Sequence, residues 1–142
     1  MLLAAALTAL ALTAPAPGVC IVGIPLEKVE SEYGLIFEGT VTYIPGEVVL
    51  ETTELARGLV EWKGLRLWFK VDRVFKGTTG TDVEITYTHH AGQYQGRFNE
   101  EERFIVWAYQ RNGRWGSDDC APTVERILAP PEMLAFLDRL KK

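Results

Sequence analysis

Two cysteines, a pair of adjacent histidines, four tryptophans and a run of three glutamates are the residues in this 142-residue chain whose types suggest chemistry. Cys20 and Cys120 are the only thiols, one near each end of the chain. Thiols placed like that are either joined in a disulfide or buried separately as small hydrophobes, and the spacing leaves both readings open. His89 and His90 are neighbours, so on a strand their rings point to opposite faces and cannot easily share one metal. A zinc site would need Cys20 or Cys120 as a third ligand. The plainer reading is a strand end that runs into a glycine-containing loop, and no metal is predicted. Trp62, Trp68, Trp107 and Trp115 offer either a stacking surface for sugars or single strands or core packing. Packing is the reading adopted. Glu100, Glu101 and Glu102 read as a solvated loop. The chain has no glycine-rich phosphate loop, no G-x-S-x-G and no H-E-x-x-H, so these residues spell no known catalytic motif and predict no cofactor.

The composition is 47% hydrophobic and 24% charged, that of an ordinary globular domain rather than a disordered chain. The net charge is −4, with no dense Lys/Arg cluster, which argues against a nucleic-acid partner. The N-terminus, "MLLAAALTALALTAPAPG", is apolar and uncharged from Leu2 to Ala14. That run is too short to span a bilayer and suits the apolar region of a signal peptide, although no Lys or Arg precedes it. Ala16-Pro17-Gly18 fits a cleavage site. Cutting after Gly18 gives a signal peptide over 1–18 and a domain over 19–142, starting at Val19. A buried N-terminal helix is disfavoured because Pro15 and Pro17 break the run. Lipidation at Cys20 is disfavoured because Val19 and Pro17 fill the places of a small and an aliphatic residue. The predicted location is secreted or periplasmic.

The elements that must carry these residues are mostly strands. "YGLIFEGTVTYI" is rich in β-branched and aromatic residues, with Leu35, Phe37, Gly39 and Val41 on one alternate set. Pro45-Gly46 reads as a turn, followed by a long hairpin or loop without a clean period. "KGLRLWFKVDRVFKG" is the clearest strand, with Leu65, Leu67, Phe69 and Val71 inward and Trp68 outward. Its phase slips near Asp72-Arg73, where one extra residue, a bulge, would bring Val74 back inward. "DVEITYTHH" and the apolar "ERFIVWAYQ" are further strands. Asn112-Gly113 marks a tight hairpin, and "RWGSDDC" returns from it. Near the C-terminus, Pro130-Pro131-Glu132 opens a helix. Met133, Phe136, Leu137 and Leu140 form its single apolar stripe. Five or six strands followed by a helix predict a mainly β protein, and a small closed barrel removes the sheet edges.

"LIFEGTV", "FKVDRVFKG", "DVEITY", "ERFIVWAY", "GRWGSDDCAPT" and "EMLAFLDRL" occur in the order and spacing of bacterial netrin-like domains, which resemble the N-terminal domain of tissue inhibitors of metalloproteinases. The resemblance covers roughly Cys20 to Leu140. It implies a five- to six-stranded OB-type barrel with a C-terminal helix. The family usually begins Cys-x-Cys. Here Cys20 holds the first position and Val22 the second, and the middle cysteine is missing near "HHAGQYQG". Losing one whole bridge leaves two cysteines, so the resemblance implies that Cys20 pairs with Cys120. Such a large loop would contribute about 4–5 kcal/mol in the chain-entropy model.

The function implied is a non-catalytic, extracytoplasmic binding module for a protein partner, a protease among the candidates. In inhibitors of this type the first cysteine's free amine and carbonyl chelate the protease zinc. That role would fall on Cys20, with Ile21 and Val22 filling the cleft beside it. A chain starting at Val19 places a peptide nitrogen there, a poor zinc ligand, so binding without inhibition is the leading expectation. Zinc metalloprotease inhibition through the Cys20 amine is one alternative, and an enzyme of unrecognised type is another.

Overall fold

The structure is a computed structural model that describes residues 24–88 and 97–141. Two long strands dominate it. β1 runs Leu35–Leu55 and β2 runs Gly58–Lys76. They pair antiparallel over their whole length and end in a tight turn, with Leu55 opposite Gly58. β3 is Asp82–Thr88, β4 Arg103–Arg111, β5 Arg114–Asp118 and β6 Val124–Glu125. A short helix α1 (Leu26–Val29) precedes β1, and α2 (Pro131–Leu140) closes the chain.

The strand order is β1-β2-β3-β5-β4-β6, and β1 also pairs with β4. That extra pairing, Leu35–Thr40 against Ala108–Arg103, closes five strands into a barrel. β3 and β5 run parallel, and the other neighbouring pairs are antiparallel. The fold is thus mainly β and consistent with the expected OB-type barrel carrying a C-terminal helix.

The predicted alternation holds inside the barrel. Leu35, Phe37 and Val41 from β1 and Leu65, Leu67 and Phe69 from β2 are buried with Val83, Ile85, Tyr87 and Phe104. Phe37 and Phe69 meet edge to face at 5.6 Å, and Phe69 meets Phe104 at 6.3 Å, the offset geometry that aromatic quadrupoles favour. The bulge lies where the phase slip placed it. Gly39 pairs with Val71 and Glu38 with Arg73, leaving Asp72 without a partner. Val71 and Val74 therefore both pack on the interior. Trp68 is half-buried on the outer side, between fully buried Leu67 and Phe69.

A second core lies outside the barrel. Ile36, Phe75, Ile105 and Trp107 point away from the interior and are covered by Met133, Phe136 and Leu137 of α2. Phe136 stacks on Trp107 with ring centres 6.2 Å apart and planes 9° from parallel. Arg73 ties the helix down through Asp138 at 2.6 Å. Strands buried on both faces explain why "ERFIVWAYQ" reads as one apolar run.

One turn is absent. Pro45-Gly46 stays inside β1 and forms a bulge, with Tyr43 opposite Trp68 and Gly46 opposite Arg66. Gly46 supplies the required positive φ of 121°. A bulge also tolerates a proline that has no N–H to donate. The chain therefore continues outward as a two-stranded ribbon and does not fold back at residue 45.

Candidate binding groove

The ribbon leans over the neighbouring strands because of two local irregularities. Val49 pairs with Lys63 and Glu51 with Trp62, so Leu50 bulges out of register. Across from it, a β-carbon on Gly64 would come within 2.5 Å of the Thr86 methyl and 3.0 Å of Leu50 Cδ1. Only a glycine lets the ribbon root lie this close to β3. Leu50 and Val49 then form one wall of a groove of about 270 Å³.

β3 supplies Thr86 and Thr88 to the groove, and the β4–β5 hairpin supplies Tyr109, Arg111, Asn112, Arg114, Trp115 and Gly116. Asn112 and Gly113 adopt positive φ of 52° and 76°, as the predicted two-residue turn requires. Gly116 sits opposite Tyr109, and a β-carbon there would come within 3.2 Å of the ring. Arg111 and Arg114 face each other across the last rung. Arg111 reaches Glu51 of the ribbon at 3.4 Å. Thr86 is buried, and its hydroxyl has no hydrogen-bond partner.

Behind the groove, two carboxylates organise the turn that carries Cys120. Tyr109 donates its hydroxyl to Asp118 Oδ2 at 3.0 Å. The N–H groups of Cys120 and Ala121 donate to Asp118 Oδ1, each at 2.9 Å. Tyr87 donates a short hydrogen bond to Asp119. Burial, reinforced by the Asp118 charge, pushes the Tyr33 hydroxyl up to about 12. Burial and the hydrogen bond to Asp119 raise Tyr87 further, and burial with the Asp118 charge raises Tyr109.

Cys120 lies in an exposed turn after β5, and no cysteine among the described residues is free. Cys20, Ile21 and Val22, the N-terminal residues singled out for partner binding, lie outside the described residues, as do His89 and His90. Trp115 lines the groove, whereas Trp107 is buried in the second core. Sequence reasoning did not single out Arg111, Arg114, Tyr109 or Thr86. The available signal was "YQRNGRW", a tight hairpin that places two arginines and two aromatics together in an acidic chain. Among the described residues, no helix is long and apolar enough to cross a membrane, and no three His, Cys, Asp or Glu side chains are grouped to hold a metal ion. No family model matches the sequence, and no curated protein is significantly similar to it.

Proposed function

We propose that the chain is a non-catalytic, extracytoplasmic binding module of netrin-like type, which holds a protein partner between its ribbon and its β4–β5 hairpin. The observation that supports this reading is the groove itself, together with exposed apolar residues along β1 and β2. Tyr43, Val49, Leu55 and Leu59 are 57%, 47%, 53% and 71% exposed, and exposed apolar surface of this kind marks interaction sites. The test is capture of a partner from the extracytoplasmic fraction, repeated with Val49→Glu and Leu59→Glu. A specific partner should be retained by the native chain and lost by both folded variants. Retention by both variants counts against the reading.

Zinc metalloprotease inhibition is a second reading, favoured by the position of Cys120. Its turn is held by Asp118, whose other oxygen binds Tyr109 of the groove wall. A bridge to Cys20 would bring the N-terminal segment to this end of the barrel. Thiol titration of denatured, unreduced protein should then find no free cysteine. Chains starting at Val19 and at Cys20 should be compared against a zinc endopeptidase. Inhibition by the Cys20 form alone would make the cleavage site the switch between binder and inhibitor. Equal, tight inhibition by both forms would refute chelation by the amine.

A further inference from the structure

Arg111 and Arg114 stand directly opposite each other at the end of the β4–β5 hairpin, an arrangement in which like charges repel. Among the described residues, the only carboxylate that pairs with either is Glu51, 3.4 Å from Arg111, and both of those side chains are more than half exposed. Such a pair contributes little. Arg114 makes no ion pair among the described residues. Among the described residues, the groove lining contains no Asp or Glu, although the chain as a whole carries a net charge of −4. Thr86, one of the lining residues, also has a buried hydroxyl without a hydrogen-bond partner. A buried polar atom left unpaired costs free energy that a bound ligand can recover. Two arginines on one rung, an idle hydroxyl and walls of Val49, Leu50 and Trp115 share one complement, an anion carried on an apolar stem.

We propose that the groove receives a single carboxylate side chain from an extended segment of the partner polypeptide. Arg114 and Arg111 hold the carboxylate, relieving their mutual repulsion, since a guanidinium fork matches carboxylate geometry. Val49, Leu50 and Trp115 pack against the methylenes and the neighbouring residues. A polypeptide is favoured over a small acid because the ribbon beyond the groove carries further exposed apolar residues, Leu55 and Leu59, one on each of its faces. This inference rests on the binding-module reading and specifies its ligand.

The experiment titrates acetyl-Leu-Glu-Leu-amide and its Gln counterpart into the full chain, followed by the NMR signals of the Trp115 indole N–H and the Thr86 amide. The Glu peptide should shift both signals and bind about fivefold or more tightly than the Gln peptide. Arg114→Gln should erase that preference, Arg114→Lys should keep part of it, and added salt should narrow it. Equal affinity of the two peptides, shifts confined to other residues, or no shift at all would overturn the site. Preferential binding of glucuronate over the Glu peptide would overturn the polypeptide assignment. A chain that captures its partner through the ribbon yet is indifferent to Arg114→Gln overturns the carboxylate site and leaves the binding-module reading standing.

Discussion

The hydroxyls of Ser117 and Thr123 lie 2.8 Å apart, and together they satisfy both backbone polar groups of Trp107. The Trp107 N–H donates to Thr123 Oγ1 at 2.9 Å, and Ser117 Oγ donates to the Trp107 carbonyl at 2.8 Å. They are needed because β4 pairs with β6 only at Phe104 and Ile105 and with β5 only from Tyr109 onward. Two side chains fill the gap between those ladders. Thr123→Val keeps the shape and removes the acceptor. It should cost about 1–3 kcal/mol, read as a lower denaturant midpoint at unchanged slope, with Thr123→Ser costing less. An unchanged midpoint in the valine variant would contradict this account.

Gly64 should not tolerate alanine. The added carbon meets the methyl of a β-branched residue, Thr86, at 2.5 Å and the Leu50 side chain at 3.0 Å. Neither neighbour retreats freely, so Gly64→Ala should destabilise by about 1–3 kcal/mol. It should also lift the ribbon, speeding hydrogen exchange at ribbon amides while the barrel amides stay protected. Native exchange rates along the ribbon would show that the root is not packed as described.

The helix is held through Phe136 more than through its polar contacts. Phe136 is 6% exposed and stacks on Trp107. Phe136→Ala should cost about 3–5 kcal/mol. Arg73→Ala removes an exposed ion pair and should cost about 1 kcal/mol or less. Thermal melts of the two variants decide this, and a larger loss for Arg73→Ala would reverse the assignment.

Alkaline pH should unfold the protein earlier than its charge alone suggests. Tyr33 titrates near 12 when folded, against an ordinary value of 10, and Tyr87 and Tyr109 are also raised. Below pH 10 these tyrosines keep their protons in both states, so their contribution is fully present. Above it the unfolded chain releases protons that the folded chain retains, and stability falls as pH rises through 12. Tyr109→Phe should flatten that fall. Denaturant midpoints measured across the alkaline range provide the check, and stability independent of pH there would refute the burial of these hydroxyls.

Much of the barrel was legible because it obeys period two. The inward set Leu65, Leu67 and Phe69, the slip at Asp72 and the Asn112-Gly113 turn all follow from local chemistry. So did α2, whose stripe has one face to bury. Pro45-Gly46 misled because the same dipeptide serves a turn or a bulge, and the choice depends on whether β2 extends far enough to pair beyond it. The second core was only half visible. Ile36 reads as an outward residue until α2 is known to cover it. The groove was hidden for a related reason. It brings together Val49, Thr86 and Arg114 from three separate segments, and only the lean of the ribbon makes them neighbours.

The seam between β1 and β4 joins residues roughly sixty to seventy positions apart in the sequence, whereas the β1–β2 ribbon closes around a two-residue turn. Chain closure over long separations is slow, so folding is expected on the order of milliseconds to seconds. Refolding complete within microseconds, measured by temperature jump, would contradict this. Local hairpins zip in microseconds. The segment that projects from the finished barrel is therefore the one able to form first, and β1 is expected to meet β4 already paired with β2. The ribbon would then act as a folding template before it acts as a contact surface.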